Sequence, residues 1–67
     1  MSVARVTEIT ATSKDSFDGA LREGVKRASK TLKNIRGAWI KEQEVVIKEG
    51  EIKEYVVKMK ITFVLDD

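Results

Sequence analysis

Hydrophobic and polar positions alternate most regularly over the last third of the chain. One set of alternate residues is Tyr55, Val57, Met59, Ile61, Phe63 and Leu65; the other is Glu54, Val56, Lys58, Lys60, Thr62 and Val64. Successive side chains of a strand point to opposite faces, so this pattern predicts a long strand with one buried and one largely polar face. Val56 is an apolar residue on the polar face. Just upstream, Lys48-Glu49-Gly50-Glu51 reads as a tight hairpin turn in which Gly50 supplies a positive φ, and the third strand starts near Ile52. The strand before the turn is predicted over Ala38–Lys48. Its alternation breaks at Glu42-Gln43-Glu44, where a bulge or strong bend accounts for the break.

A different period governs the first half. Residues 3–11, rich in Val, Thr and Ile, predict a first strand of poor alternation. From there the apolar positions fall at Phe17, Ala20, Leu21, Val25, Ala28 and Leu32, which is one face of a helix. Thr12-Ser13 offers an N-cap, with Asp15 and Asp18 in the first turn and Lys30 and Lys33 near the C-terminus, as the helix dipole favours. Asp18–Arg22 and Glu23–Arg27 add pairs four apart. The predicted helix spans roughly 14–33. Gly19 and Gly24 lie inside it, each at a cost of about 1 kcal/mol relative to Ala. At Gly24, beside the apolar face, either local tolerance or close approach of a sheet or another chain accounts for the glycine.

The element order is therefore β-α-β-β. The expected fold class is α+β, a three-stranded antiparallel sheet with one amphipathic helix packed on one face, in a single domain over residues 1–67. A two-residue turn at Glu49-Gly50 sets Trp39 opposite Lys60 and Gln43 opposite Val56, both pairs on the face away from the helix. That face then carries Trp39, Gln43, Val45, Ile47 and Val56 among charged residues. A subunit interface or a ligand pocket is the expected reason for so much apolar surface there.

Composition sharpens this picture. A chain of 67 residues has a small core, and with no Cys, His or Pro it has no disulfides, thiolate chemistry or common zinc site. Oligomerisation is the expected source of its stability. The apolar runs are too short to span a membrane, and Met1-Ser2-Val3-Ala4-Arg5 lacks the apolar stretch of a signal peptide. A soluble cytoplasmic protein is expected. The net charge of +2 is too small to imply nucleic acid, but it is unevenly spread: residues 1–40 carry eight bases and four acids, residues 41–67 five bases and seven acids.

Candidate chemistry is sparse. No nucleophile–base pair can be built around His or Cys, the remaining polar residues form no constellation, and Gly19, Gly24, Gly37 and Gly50 are too scattered for a phosphate loop. Enzyme activity is not expected. Glu42 and Glu44 can ligate a hard cation with help from another subunit, although a solvated strand edge or a subunit salt bridge accounts for them more simply. Arg22, Lys26, Lys30 and Lys33 form a basic stripe with Arg36 just beyond. Its possible roles are a phosphate or nucleic-acid surface, a lure for the phosphate of a small ligand, or an ordinary exposed helix face. The last is the simplest, because no aromatic residues are interleaved for stacking on single strands. Trp39 either stacks on a flat ligand or packs beneath a neighbouring subunit.

Three stretches together carry a family resemblance: Val6-Thr7-Glu8-Ile9 leading into Thr12-Ser13, the segment Asn34-Ile35-Arg36 after the helix, and Tyr55 through Phe63-Val64-Leu65-Asp66. Over its whole length the chain resembles the dodecins, small β-α-β-β flavin-binding proteins that assemble into hollow homododecamers. The resemblance implies a non-enzymatic function, the binding and storage of a flavin (FMN or riboflavin) between aromatic rings of symmetry-related subunits. It also identifies two departures. A Trp that stacks on the isoalloxazine in flavin-binding dodecins falls at Gly37, and a Gln that hydrogen-bonds the flavin falls at Val56. Trp39 lies on the same face as Gly37, about 6–7 Å along the strand, and is a partial substitute for the ring; Gln43, opposite Val56, is a replacement amide. The expected ligand-contacting positions are thus Arg36, Gly37, Trp39, Gln43 and Val56. Two alternatives stand beside this reading: a divergent dodecin holding another anionic ligand or a cation, and a basic nucleic-acid-associating module using residues 22–36.

Overall fold

The computed structural model describes residues 3–65; Met1 and Ser2 of the N-terminal reading, and Asp66 of the last motif, lie outside the described residues. The elements run β1 (Ala4–Ser13), α1 (Phe17–Ala28), β2 (Ile35–Lys48) and β3 (Glu51–Val64). Both β1 and β2 pair antiparallel with β3, which lies between them. The β-α-β-β order and the antiparallel sheet with one helix are as expected.

The alternation of β3 decides where the core sits. Val57, Met59 and Ile61 are fully buried and cluster with Ala20 and Ala28 of the helix, while Ile9, Ala11, Phe17, Leu21, Val25, Leu32 and Ile35 pack around them. Phe17 and Tyr55 close one end of this layer as an edge-to-face pair with centroids 5.0 Å apart. The helix lies over β1 and β3 and makes little contact with β2. Gly24 is the point of closest approach. A Cβ there would stand 2.6 Å from Met59 Cε and 3.1 Å from Ala11 Cβ, so a sheet, not local tolerance, is what the glycine accommodates.

The helix is shorter than its apolar spacing predicts, at both ends. Its N-cap is Ser16, whose Oγ accepts from the Gly19 amide at 2.9 Å. Thr12 and Ser13 still belong to β1, and the Ser13 hydroxyl accepts from the Asp15 and Ser16 amides in the turn before the helix. Asp18 is thus the acid of the first turn, and Asp15 precedes it. At the other end, Ser29 Oγ donates to the Val25 carbonyl at 2.8 Å and Thr31 Oγ1 to that of Ala28 at 3.4 Å. Such side-chain bonds compete with helix propagation. The helix stops at Ala28, Leu32 tucks back against the core, and Asn34 turns the chain at φ 61°. Lys30 and Lys33 therefore follow the helix, and its last turn carries Lys26 and Arg27.

The hairpin has the expected two-residue turn, with Lys48 paired to Glu51 and positive φ at both Glu49 (52°) and Gly50 (78°). That is the backbone signature of the type I′ turn that matches strand twist. The register between β2 and β3 shifts in three places: between Ile35 and Gly37, between Ile40 and Glu42, and between Val46 and Ile47. The middle shift realises the break expected at 42–44, and it changes which face the following residues occupy. The strand also begins earlier than Ala38, so that Gly37 lies within it.

Candidate ligand-binding face

The sheet face away from the helix is the one on which the β3 residues Glu54, Val56, Lys58, Lys60, Thr62 and Val64 lie. Strand pairing brings to it Gly37 opposite Thr62, Trp39 opposite Lys60, Glu42 opposite Lys58 and Glu44 opposite Val56. From β1 come Val6, Glu8, Thr10 and Thr12, opposite Thr62, Lys60, Lys58 and Val56. Trp39 sits across from Lys60 as expected, and it shares its face with Gly37.

One expected pairing is overturned. Gln43 faces Val57, not Val56, because Lys41 is an extra residue in β2 between Ile40 and Glu42. A one-residue insertion reverses the facing of everything beyond it until a second shift compensates. Gln43 and Val45 therefore share the face of the core residues Val57 and Tyr55, and Ile47 pairs with Ile52 instead of lying on the helix-free face. Gln43 is not placed to supply an amide beside Val56. In its stead the bulge brings Glu42 and Glu44 to that face, a placement that an unbroken strand register does not reveal.

Trp39 is 47% exposed, and the Nζ of Lys60 stands 6.0 Å from its ring centroid. A Cβ built on Gly37 meets no atom within 4 Å, so the surface beside the indole is open. Val56 belongs to this strand face between Thr12 and Glu44 but is itself buried, only 8% exposed, so it offers a ligand little surface. Arg36, exposed, occupies the shift between Ile35 and Gly37.

Two lysines of the face are engaged by its glutamates. Lys58 Nζ lies 3.8 Å from Glu42 Oε1 and 3.7 Å from Glu44 Oε1, so an ammonium already bridges the two carboxylates proposed from sequence as cation ligands. Among the described residues no three acidic groups come together in a way that suits a metal ion. Lys41 reaches across β3 to Glu8 at 3.4 Å.

The basic stripe is not one helical face. Arg22 and Lys26 lie on the helix but Lys30 and Lys33 do not. Arg22 is engaged by Asp18 at 2.8 Å, and that hydrogen bond, with the charge behind it, pushes the guanidinium pKa up. Beside the helix a groove of about 550 Å³ runs along the outer edge of β1, lined by Ile9, Ala11, Gly24, Ala28 and Leu32 among others. No helix of the described residues is long and apolar enough to cross a membrane.

Fold and face together define a two-layer β-α-β-β module whose accessible side-chain chemistry is aromatic stacking and ion pairing. The dodecin family profile matches residues 3–66. The chain belongs to the dodecin family. A dodecin of Thermus thermophilus is 31% identical over 65 residues, which cover 97% of this chain and 94% of that protein. The dodecin of Streptomyces davaonensis superposes with a TM-score of 0.93 at 38% identity, with 98% of this chain and 97% of that one covered. A calcium dodecin of Mycobacterium tuberculosis, described as a calcium-chelating antigen with a novel calcium-binding site, superposes with a TM-score of 0.83 at 32% identity, covering 96% and 91% of the two chains.

Proposed function

We propose that the protein is a non-enzymatic small-ligand binder and store, that it holds a planar flavin-type ligand against Trp39, and that it does so as a closed, hollow homododecamer. The observation that carries this reading is the half-exposed indole beside the open surface at Gly37. A large aromatic ring left exposed beside unfilled space offers stacking area at little conformational cost. Assembly is supported by the apolar surface one chain leaves uncovered. Val6, Trp39, Ile40, Ile47 and Ile52 are all exposed, and a groove lies open beside β1. Such surface on so small a chain marks an interface.

The bound cation of the mycobacterial relative makes calcium the second reading. Glu42 and Glu44 are its natural ligands here, but Lys58 lies between them and calcium must displace it. The nucleic-acid reading has the weakest support, because the stripe is interrupted where the helix ends.

Native mass spectrometry of protein purified without denaturant, followed by flavin titration monitored through flavin fluorescence, tests the proposal. Twelve chains and quenching that saturates are the expected results. A monomer or dimer sinks the assembly, and unquenched flavin at high protein concentration sinks the ligand.

A further inference from the structure

Three ammonium groups stand on the open face, and their surroundings differ. Lys58 is shared by Glu42 and Glu44, and Lys41 is held by Glu8. Lys60 is in register with Glu8 on one side and Trp39 on the other, yet among the described residues it forms no ion pair; Glu8 is engaged by Lys41 instead. Its recorded contact is the indole, at 6.0 Å. That is the outer limit of a cation–π attraction, and at a half-exposed site the attraction is weak. The charge of Lys60 is therefore nearly unspent, on a flexible stem that lets the ammonium swing away from the ring.

The acids of this face are also unevenly placed. Glu42, Glu44 and Glu54 lie toward the hairpin. In the opposite direction from Lys60 the face continues through Gly37, Thr62, Val6 and Val64, with no carboxylate among the described residues. An anion approaching the open side of the indole meets an unpaired ammonium and a threonine hydroxyl.

We infer that Lys60 makes this face selective for ligands that join a planar ring to a phosphate. The ring stacks on Trp39 and the ammonium leaves the indole to pair with the phosphate. Lys60 is then a specificity-determining residue, and it takes over part of the anchoring that is lost with the family's ring at Gly37 and amide at Val56. The inference rests on the stacking reading above.

FMN and riboflavin share a ring and differ in the phosphate, so their comparison isolates the claim. Both are titrated into the assembled protein and into its Lys60→Gln and Lys60→Arg variants, at low and at physiological ionic strength. FMN is expected to bind about tenfold tighter than riboflavin at low salt, as a charge-assisted contact gives, with the preference shrinking as salt screens it. Lys60→Gln brings the ratio to about one, and Lys60→Arg retains the preference. Equal affinities in the unaltered protein, or a preference that survives Lys60→Gln, overturn the inference and leave stacking on Trp39 standing. Binding of neither flavin removes the stacking reading, and this inference with it.

Discussion

Met59 occupies the space that a side chain on Gly24 would need: a Cβ there would lie 2.6 Å from its Cε and 3.2 Å from its Sδ. The helix rides this close to the sheet because residue 24 has no side chain, and fully buried Met59 fills the gap from the other side. In Gly24→Ala, the gain in helix propensity of about 1 kcal/mol competes with overpacking of about 1–3 kcal/mol. Ala11 Cβ, at 3.1 Å, limits the room into which Met59 can move. The substitution is expected to destabilise alone and to stabilise by about 1 kcal/mol in a Met59→Ala background. Urea denaturation of the four proteins of the cycle measures the coupling; additive effects refute the close-contact account.

Ser16 caps the helix through its bond to the Gly19 amide. Ser16→Ala is expected to cost about 1 kcal/mol. A drop in melting temperature with an unchanged oligomeric state checks it, and a shift within error would show that Ser13 or water satisfies the amide instead.

Glu49 holds a positive φ, 52°, where a side chain other than Asn, Asp or Gly is strained. Glu49→Asn produces the Asn-Gly pair that this turn prefers, and a gain of about 0.5–1 kcal/mol is expected. Thermal unfolding reads the change, and a loss of stability would mean that the Glu49 side chain has a role outside this hairpin.

Gly37 leaves room for a side chain on the open face. Gly37→Trp places a second aromatic ring on the face of Trp39 and removes a flexible residue from a strand, so stability should hold or rise by about 0.5–1 kcal/mol. Flavin affinity should increase by at least tenfold, since a stacked base or ring contributes about 1–3 kcal/mol. Unchanged affinity would place the ligand away from this part of the strand.

Trp39→Ala is expected to weaken flavin binding by at least tenfold, from the same stacking magnitude, with little effect on the monomer fold because the indole is about half exposed. Retained affinity would remove Trp39 from the site. A change of oligomeric state would identify the ring as an interface residue instead.

Residues near one another in sequence announced most of this fold. The alternation of β3 marked Val57, Met59 and Ile61 as core, the spacing of Ala20, Val25 and Ala28 marked the helix face, and Glu49-Gly50 marked the turn. Each of these signals is a period or a local backbone preference, carried by the residues themselves. The placement of Trp39 opposite Lys60 followed from counting back from the turn, because no uncompensated shift intervenes between that pair and the turn: the extra residue Lys41 on β2 is offset by Lys53 on β3.

The facing of Gln43, Glu42 and Glu44 did not follow. The break in pattern located the irregularity, but a bulge at Lys41 or a bend at Gln43 leaves nearly the same pattern in the chain, and the choice reverses the face of every residue as far as the next shift. Only pairing with β3 decides it. The end of the helix was hidden for a similar reason. Leu32 continues the helical spacing although it reaches the core from the turn that follows the helix, where its amide still bonds to the Ala28 carbonyl. Likewise the freedom of Lys60 depends on Lys41 having reached Glu8 across an intervening strand, a contact between residues 33 positions apart. Periodicity reports which residues are buried. Which charges remain unpaired on the opposite face is settled only when three strands are laid side by side.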